Sequence, residues 1–330
     1  MSRPEQPEPF LRGCAFPAAP GVPYPRAKND DRLPRDTWAM ASIPVGVRFE
    51  FVGDATEVEL AYETATDDLG YRGDGAGKAF TLWRGGRQVD AAPAVLGAGS
   101  ARLRTGKDDA TVGDGPAIVY LPEGMRPTVS TITAVGGSIE PAPAQPRWVA
   151  YGDSVAEGWV ASGPPFAWPT VAGRDHGLDV VNMGYAGAAR GEMASAEHVA
   201  ATPCDVITIS HGTNCWSRVP HTTEMIAAGL AAFIKVVRMG HPHTPIFFVS
   251  PIVRPDAEST PNTVGATLSQ LRLAMEHIAT ESGVGVITGL DIVAVEQLAD
   301  GIHPNDDGHR AIAQEVGPIV AGAVAPASPA

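Results

Sequence analysis

The sequence has few cysteines, few lysines and no long apolar run. Its three cysteines, Cys14, Cys204 and Cys215, show neither metal-site spacing nor an even-numbered disulfide framework, which is typical of a reducing compartment. No segment reaches the roughly 18 apolar residues of a membrane-spanning helix, and the first ten residues lack the apolar core of a signal peptide. These absences predict a cytoplasmic protein without a membrane segment.

Positive charge is also scarce. The formal net charge is −13 over 330 residues, and such an acidic balance argues against a surface for nucleic acid, which needs clustered Lys and Arg. Hydrophobic residues make up 44% and charged residues 18%, as in a globular protein with a real core. At about 150 residues per domain, the length allows two domains.

The first half of the chain consists of short β-prone runs separated by Gly- and Asp-rich turns. Residues 45–52 and 129–134 are examples, and repeated short strands of this kind indicate an antiparallel β-sandwich. We therefore predict an extended surface segment over residues 1–36 and a β-sandwich-like accessory domain over residues 37–140. The accessory domain contacts carbohydrate, shapes the mouth of a site in the second half, or packs as a cover on one side of that half. Exposure of Trp38 or Trp83 would favour the first role.

The Pro-rich stretch 141–146 is predicted to be a linker, because it is stiff and extended. After it, apolar strands alternate with amphipathic helices through residues 147–322, and residues 323–330 form a predicted flexible tail. Strand–helix alternation means crossover connections and a parallel sheet covered on both faces. We thus predict an α/β domain whose strand ends meet at one edge, where open α/β sheets bind ligands.

Two short stretches carry the candidate chemistry. Ser154 follows directly after a predicted strand that breaks at Gly152 and Asp153, and taken alone this pattern favours a helix N-cap. Farther along, Asp300 and His303 are three residues apart on a predicted turn. A carboxylate there can bind one imidazole nitrogen and leave the other free to act as a base for a serine. These residues predict a catalytic triad of Ser154, His303 and Asp300.

The α/β half, about residues 147–320, resembles the SGNH (GDSL) hydrolase superfamily, in its two-domain type with a β-rich N-terminal half. Four blocks occur in the family's order, at residues 152–154, 182–187, 212–214 and 300–303. The resemblance implies the three-layer SGNH fold and an oxyanion hole formed by the N–H groups of Ser154 and Gly187 and the side-chain amide of Asn214. The third block departs from the family pattern, because Cys215 stands where an aspartate is usual, and this implies an altered pocket wall.

The resemblance also implies acyl transfer through a serine ester, with a small-molecule ester or acyl donor as substrate and no metal or other cofactor. We expect an esterase acting on small or medium acyl esters, including acetylated sugars and natural-product esters. The main alternative is an acyltransferase that moves an acyl group from a thioester or ester to a hydroxyl. A sugar-binding protein with an inactive catalytic fold is a third interpretation, which the complete set of catalytic residues disfavours.

Several further residues near the motifs are candidates for substrate contact. Each also has a structural interpretation: a salt bridge for an arginine, a buried hydrogen bond for a histidine, apolar filling for a cysteine and core packing for a tryptophan. The candidate substrate-binding residues are Asp153, Arg190, His211, Cys215 and Trp216.

Overall fold

The structure, a computed structural model, describes residues 4–324 of the chain, apart from the side chains of residues 71, 72 and 74. It divides into two compact units. The β-rich unit comprises Met1–Pro25, Ile43–Gln145 and Ser162–Pro165, and the α/β unit comprises Arg26–Ser42, Pro146–Ala161 and Phe166–Ala330, each within the described range. One division falls inside the predicted linker, and most of the predicted tail, residues 325–330, lies outside the described residues.

The described part of the β-rich unit contains two antiparallel sheets. Their strands are β1 (Leu11–Arg12), β2 (Arg48–Gly53), β3 (Glu57–Thr64), β4 (Ala79–Arg84), β5 (Arg87–Pro93), β6 (Gly97–Arg104), β7 (Ala117–Tyr120), β8 (Pro127–Val135) and β9 (Ile139–Pro141). One sheet has the order β1-β2-β7-β4-β5, with β9 beside β2, and the other has the order β6-β3-β8.

Alternating side chains explain why these strands form a sandwich. In β3, Val58, Leu60 and Tyr62 are buried, and they share a core with Phe49 and Phe80 of the other sheet. Successive side chains of a strand point to opposite faces, so every second residue can enter the core, where a large apolar side chain contributes about 1.5–3 kcal/mol. The predicted antiparallel sandwich is confirmed.

The N-terminal segment, predicted to run extended over the surface, is partly buried. Phe10 is 1% exposed and packs in the β-rich core, whereas Arg26 is 1% exposed within the α/β unit. The composition of residues 1–36 does not reveal this burial, because it depends on partners far along the chain.

The two tryptophans that would favour a carbohydrate contact are not exposed. Trp83 is 7% exposed, and Trp38 is half-buried and belongs to the α/β unit. The carbohydrate contact of the N-terminal half therefore stays a prediction.

The α/β unit contains a parallel sheet with the order β11-β10-β12-β13-β14. Its strands are β10 (Arg147–Gly152), β11 (Asp179–Gly184), β12 (Val206–Ser210), β13 (Ile246–Val249) and β14 (Gly285–Ile287). Its helices are α1 (Arg35–Ala41), α2 (Ser154–Glu157), α3 (Trp168–His176), α4 (Met193–Ala201), α5 (Thr213–Ser217), α6 (Thr223–Gly240), α7 (Leu268–Glu281) and α8 (Asp306–Ala323). Among the helices of the described residues, none combines the length and apolar character needed to cross a bilayer.

Helices cover both faces of this sheet. On one face, Trp148 packs in a core with Trp168 of α3 and Ile312 of α8. On the other face, the ring of Tyr151 lies 4.7 Å from that of Phe233 in α6, measured between centroids. The predicted α/β fold with a parallel sheet is thus confirmed.

The strand order fixes where the candidate residues emerge. Strand β10 lies between β11 and β12, so the chain runs to opposite sides of it and leaves a crevice at its carboxyl end. Gly152 at that end is aligned with Gly184 of β11 and Ser210 of β12. The segments that follow these three strands therefore start at the same edge of the sheet.

Asn262 is a residue type that favours a helix start, but helix α7 begins only at Leu268, because Thr267 and Gln270 form a reciprocal capping box. The Asn262 side chain instead accepts hydrogen bonds from the backbone N–H groups of Val264 and Ala266 and so holds a preceding turn.

Candidate active site

Ser154 is the first residue of the short helix α2, immediately after β10. A Cβ at Gly152 would lie 2.4 Å from the Ser210 carbonyl oxygen, so only glycine fits where the strand ends. The Asp153 side chain accepts the N–H of Val155 at 3.1 Å and caps the helix. The capping role suggested by the sequence thus belongs to Asp153, and Ser154 lines a cavity.

Asp300 and His303 lie on a turn that the aspartate itself organises. The Asp300 Oδ1 atom accepts the backbone N–H groups of Ile302 at 3.0 Å and His303 at 2.8 Å. Its Oδ2 atom is 2.7 Å from Nδ1 of the His303 ring. An aspartate that binds the backbone of its own turn holds a fixed orientation, so the imidazole is held as well.

The imidazole connects the turn to the serine. The Nε2 atom of His303 is 2.9 Å from the Ser154 Oγ atom. With Nδ1–H donating to Asp300, Nε2 accepts the hydroxyl hydrogen, which is the tautomer a general base requires. Burial alone would raise the pKa of Asp300, but the hydrogen bonds from the ring and backbone of His303 outweigh burial and lower it. The aspartate therefore stays ionised beside the ring.

The predicted oxyanion donors lie around the same cavity. Gly187 has a φ of +68°, which favours glycine, in a turn closed by the hydrogen bond from the Ala188 N–H to the Tyr185 carbonyl at 3.1 Å. The Asn214 side chain donates one amide hydrogen to the Ala189 carbonyl at 3.0 Å. Since an amide group carries two hydrogens, the second remains for a ligand.

The cavity has a volume of about 370 Å³, near the lower end of the range for small-molecule sites. Among the described residues that line it, none is Asp or Glu, and two are arginines. The lining residues are Ser154, Trp159, Ala186, Gly187, Thr213, Asn214, Ser217, Arg218, Arg254, Ile302 and His303.

The structure places the five candidate substrate-binding residues outside this lining. Asp153 caps α2, and Arg190 pairs with Asp36 at 2.8 Å and Glu192 at 3.2 Å. His211 and Cys215 are buried, 3% and 0% exposed. Trp216 donates its indole N–H to the Thr260 carbonyl at 3.0 Å. Neighbouring residues on a strand end or helix face different sides, so proximity to a motif in sequence does not place a side chain in the cavity. Substrate contact by these five residues stays a prediction.

The buried His211 leads to a prediction about stability. Burial lowers its pKa to about 4, below the value of about 6.5 in an unfolded chain. Between these values only the unfolded chain binds the proton, so the free energy of unfolding decreases as the pH falls, by about 3 kcal/mol over the whole range. In His211→Gln this contribution to the pH dependence should be lost, as measured by urea unfolding at a series of pH values.

Asp153 acts in the opposite direction, so wild type and variant must be compared at each pH. Burial raises the pKa of Asp153 to about 6, and its contribution to stability therefore decreases as the pH rises towards that value. Asp153 is present in both proteins and its effect cancels in the difference. Parallel stability curves for wild type and His211→Gln between pH 4 and 6.5 would contradict the prediction.

Sequence reasoning missed the two arginines in the cavity. Arg254 follows the end of β13, so the rule that ligands bind at strand ends would have indicated this segment. Arg218 lies four positions after Asn214, about one helical turn, and hence on the same side of the chain. Both signals are present in the sequence, but they can be used only when the ends of the strands and helices are known.

A family comparison agrees with this geometry. The profile of the GDSL-like lipase/acylhydrolase family matches residues 150–311, a range that contains Ser154, Gly187, Asn214, Asp300 and His303. Residues 150–311 belong to that family. The resemblance to the SGNH superfamily, inferred from four short blocks, is thereby confirmed, and this SGNH protein belongs to a group of ester-acting enzymes.

Solved structures similar to this SGNH protein include both esterases and an acyltransferase. A salicylyl-acyltransferase from a tetracycline biosynthetic pathway is 21% identical, with a TM-score of 0.79 over 96% of this chain and 95% of that chain. A candidate GDSL-like lipase from Bacteroides ovatus is 18% identical, with a TM-score of 0.78 over 98% of both chains. An acetyl xylan esterase from Butyrivibrio proteoclasticus is 12% identical, with a TM-score of 0.62 over 98% of both.

At these identities the likenesses concern the fold. In sequence, no curated protein matches the chain.

Proposed function

We propose that this SGNH protein is a serine esterase that cleaves small or medium acyl esters through an acyl-enzyme on Ser154. One observation carries the proposal: the Ser154 Oγ atom is 2.9 Å from Nε2 of His303, and Nδ1 of that ring is 2.7 Å from Asp300. This chain of contacts lies at a cavity that also contains the two predicted oxyanion residues.

In the first half of the reaction, His303 accepts the Ser154 proton as Oγ bonds to the ester carbonyl carbon. The carbonyl oxygen becomes an oxyanion, which accepts hydrogen bonds from the N–H groups of Ser154 and Gly187 and the free amide hydrogen of Asn214. Each such donor is worth about 10²–10³ in rate. The tetrahedral intermediate collapses, the bond to the alcohol oxygen breaks, and His303 returns its proton to that oxygen.

In the second half, a water molecule takes the place of the departed alcohol. His303 removes one of its protons while the water oxygen attacks the acyl carbon, and the bond to Ser154 then breaks. The free acid leaves and the serine regains its hydrogen. Asp300 remains ionised throughout and stabilises the protonated ring in both halves.

The cavity volume favours a short acyl group over a long lipid chain. A volume of about 370 Å³ holds a compact ligand of small-molecule size. Acetylated sugars and natural-product esters are candidates, and the acetyl xylan esterase with the same fold supports the first of these.

The proposal is tested by trapping the acyl-enzyme. After rapid mixing with p-nitrophenyl acetate and an acid quench, we expect a mass increase of one acetyl group on the peptide that contains Ser154. The proposed nucleophile would be contradicted if a residue other than Ser154 were acetylated as fast as the enzyme turns over.

An acyltransferase is the second candidate, favoured by the salicylyl-acyltransferase whose fold matches over 96% of this chain. The acyl-enzyme is the same, but an acceptor hydroxyl attacks it in place of water. Product analysis distinguishes the two: with an acyl thioester and a set of sugar and phenol acceptors, an esterase yields free acid with every acceptor. Formation of a new ester in preference to acid would assign the transferase.

A further inference from the structure

One cation at the candidate active site has no role in the chemistry described above. The side chain of Arg218 lines the Ser154 cavity, and the residue is exposed. Among the residues that the structure describes, none forms a hydrogen bond or ion pair with its guanidinium. An arginine carries five N–H donors in a planar fork that matches carboxylate and phosphate groups, so this one has its full donor set available.

Arg218 lies beside the predicted oxyanion residues. Its backbone N–H donates to the Asn214 carbonyl at 2.8 Å at the end of α5. A carbon at the Cβ position of Gly187 would lie 3.9 Å from the Arg218 Nε atom. The guanidinium is therefore within a few bond lengths of the place where the ester carbonyl would bind.

The second arginine of the cavity already has interaction partners for its guanidinium. Arg254 pairs with Asp256 at 2.9 and 3.1 Å and packs 4.8 Å above the Trp216 ring. The charge of Arg254 is balanced by Asp256 and its side chain is held in place, so it lines the cavity without offering a free charge. Arg218 supplies the uncompensated positive charge.

The rest of the cavity does not oppose an anion. Its lining, within the described residues, contains no acidic side chain. This contrasts with the chain as a whole, which carries a formal charge of −13. Local potential of this kind attracts a ligand of the opposite charge.

A purely structural role explains these observations less well. An arginine after a helix C-terminus can stabilise the last carbonyl groups, but α5 is only five residues long. The Arg218 guanidinium makes none of the hydrogen bonds to carbonyls that this role requires, and it lies towards Gly187 instead.

We infer that this site takes esters that carry an anionic group, a carboxylate or a phosphate-type group, a few bonds from the reacting carbonyl, and that Arg218 binds the anion. The inference rests on the proposed esterase function, because that function places the carbonyl at Ser154. A charged hydrogen-bonded pair of this kind is worth about 10- to 100-fold in binding.

The experiment compares charged esters with neutral esters of the same shape. On the acyl side, the pair is p-nitrophenyl hydrogen succinate and p-nitrophenyl 4-methylpentanoate, with the 3-phosphonopropanoyl ester as the phosphate-type arm. On the alcohol side, the pair is acetoxyacetate and isobutyl acetate. The quantity measured is the ratio of kcat/KM for the charged ester to that for its neutral partner.

In Arg218→Gln, this ratio should fall by about 10- to 100-fold for at least one pair of esters. The pair that responds shows whether the anion lies on the acyl or the alcohol side and whether it is a carboxylate or a phosphate-type group. The matched control is Arg310→Gln, an exposed arginine of α8 outside the cavity, which has the same change of net charge and should keep the wild-type ratio. A ratio unaffected by Arg218→Gln in every pair would overturn the inference and leave the esterase proposal intact.

If none of the esters is cleaved, the esterase proposal is overturned. A binding measurement then tests the anion site separately. The measurement is calorimetric titration of Ser154→Ala with each of the three charged esters. We expect at least about tenfold weaker binding of one of them when Arg218→Gln is added; unchanged affinities for all three would overturn the anion site.

Discussion

Replacement of Ser154 by alanine is expected to lower kcat/KM for p-nitrophenyl acetate by at least about 10⁴-fold, the size of the loss when a triad nucleophile is removed. The Ser154 hydroxyl oxygen is the atom that forms the ester bond, and it lies 2.9 Å from Nε2 of His303, the base that activates it. The measurement is the release of p-nitrophenol under conditions where background hydrolysis is subtracted.

Ser217 provides a matched control for this experiment. It is a second serine in the lining of the same cavity, but its hydroxyl donates to the Thr213 carbonyl at 3.2 Å within α5. Ser217→Ala should therefore lose far less activity than Ser154→Ala. Equal rates for wild type and Ser154→Ala, with both proteins folded by circular dichroism, would exclude the proposed mechanism.

Replacement of Glu157 by glutamine should destabilise the protein by about 3–5 kcal/mol, the usual cost of leaving a buried charge without its partner. The Glu157 and Arg26 side chains are both 0% exposed, with a 2.7 Å contact between Oε1 and Nη2. The variant replaces the carboxylate of this buried ion pair with a neutral amide beside the guanidinium of Arg26. Urea unfolding of wild type and variant at pH 7 measures the difference.

The same substitution should also lower kcat, because the pair supports the oxyanion loop. Glu157 accepts the N–H of Ala186 at 2.9 Å, next to Gly187. Arg26 donates to the carbonyl groups of Asn182 and Gly184, at the end of β11. Glutamine has one acceptor oxygen where glutamate has two, so either Arg26 or the Ala186 N–H loses its acceptor in the variant. The turn at Gly187 can then shift, and we expect a larger change in kcat than in KM.

Glu197→Gln is the control for both effects. Its partner Arg32 forms a contact of similar length, 2.6 Å, but the two side chains are 62% and 42% exposed, and exposed ion pairs contribute little. Glu197→Gln should thus change stability much less than Glu157→Gln. A Glu157→Gln protein as stable and as active as Glu197→Gln would show that the buried pair is not needed.

The sequence contained the information for the family and the fold because that information is local. The motifs at 152–154, 182–187 and 212–214 lie at or just after the ends of apolar strands. Each contains both a glycine, which the backbone requires there, and a polar side chain. Gly152 illustrates this: the close approach of the Ser210 carbonyl excludes any Cβ. Alternation of strands and helices then predicts the parallel sheet, since only crossover connections can join such strands.

The helix start at Leu268 and the partly buried N-terminal segment were not predictable in the same way. Asn262 and Thr267 are both good caps, and the reciprocal hydrogen bonds with Gln270 decide between them. Arg26 in a Pro-rich segment gives no local sign of burial. Its partner Glu157 is 131 positions away, and only folding brings them together.

The amino-acid sequence by itself determined the family, the sheet with its helices and the identity of a serine, a histidine and an aspartate as candidates, because strand ends and tight turns constrain residue types locally. The tertiary structure alone decided which charged side chains face the cavity. Arg190 is drawn away by Asp36 and Glu192, whereas Arg218 is left in the cavity. The reason is that an ion pair depends on distances between segments, and sequence neighbours do not specify those distances.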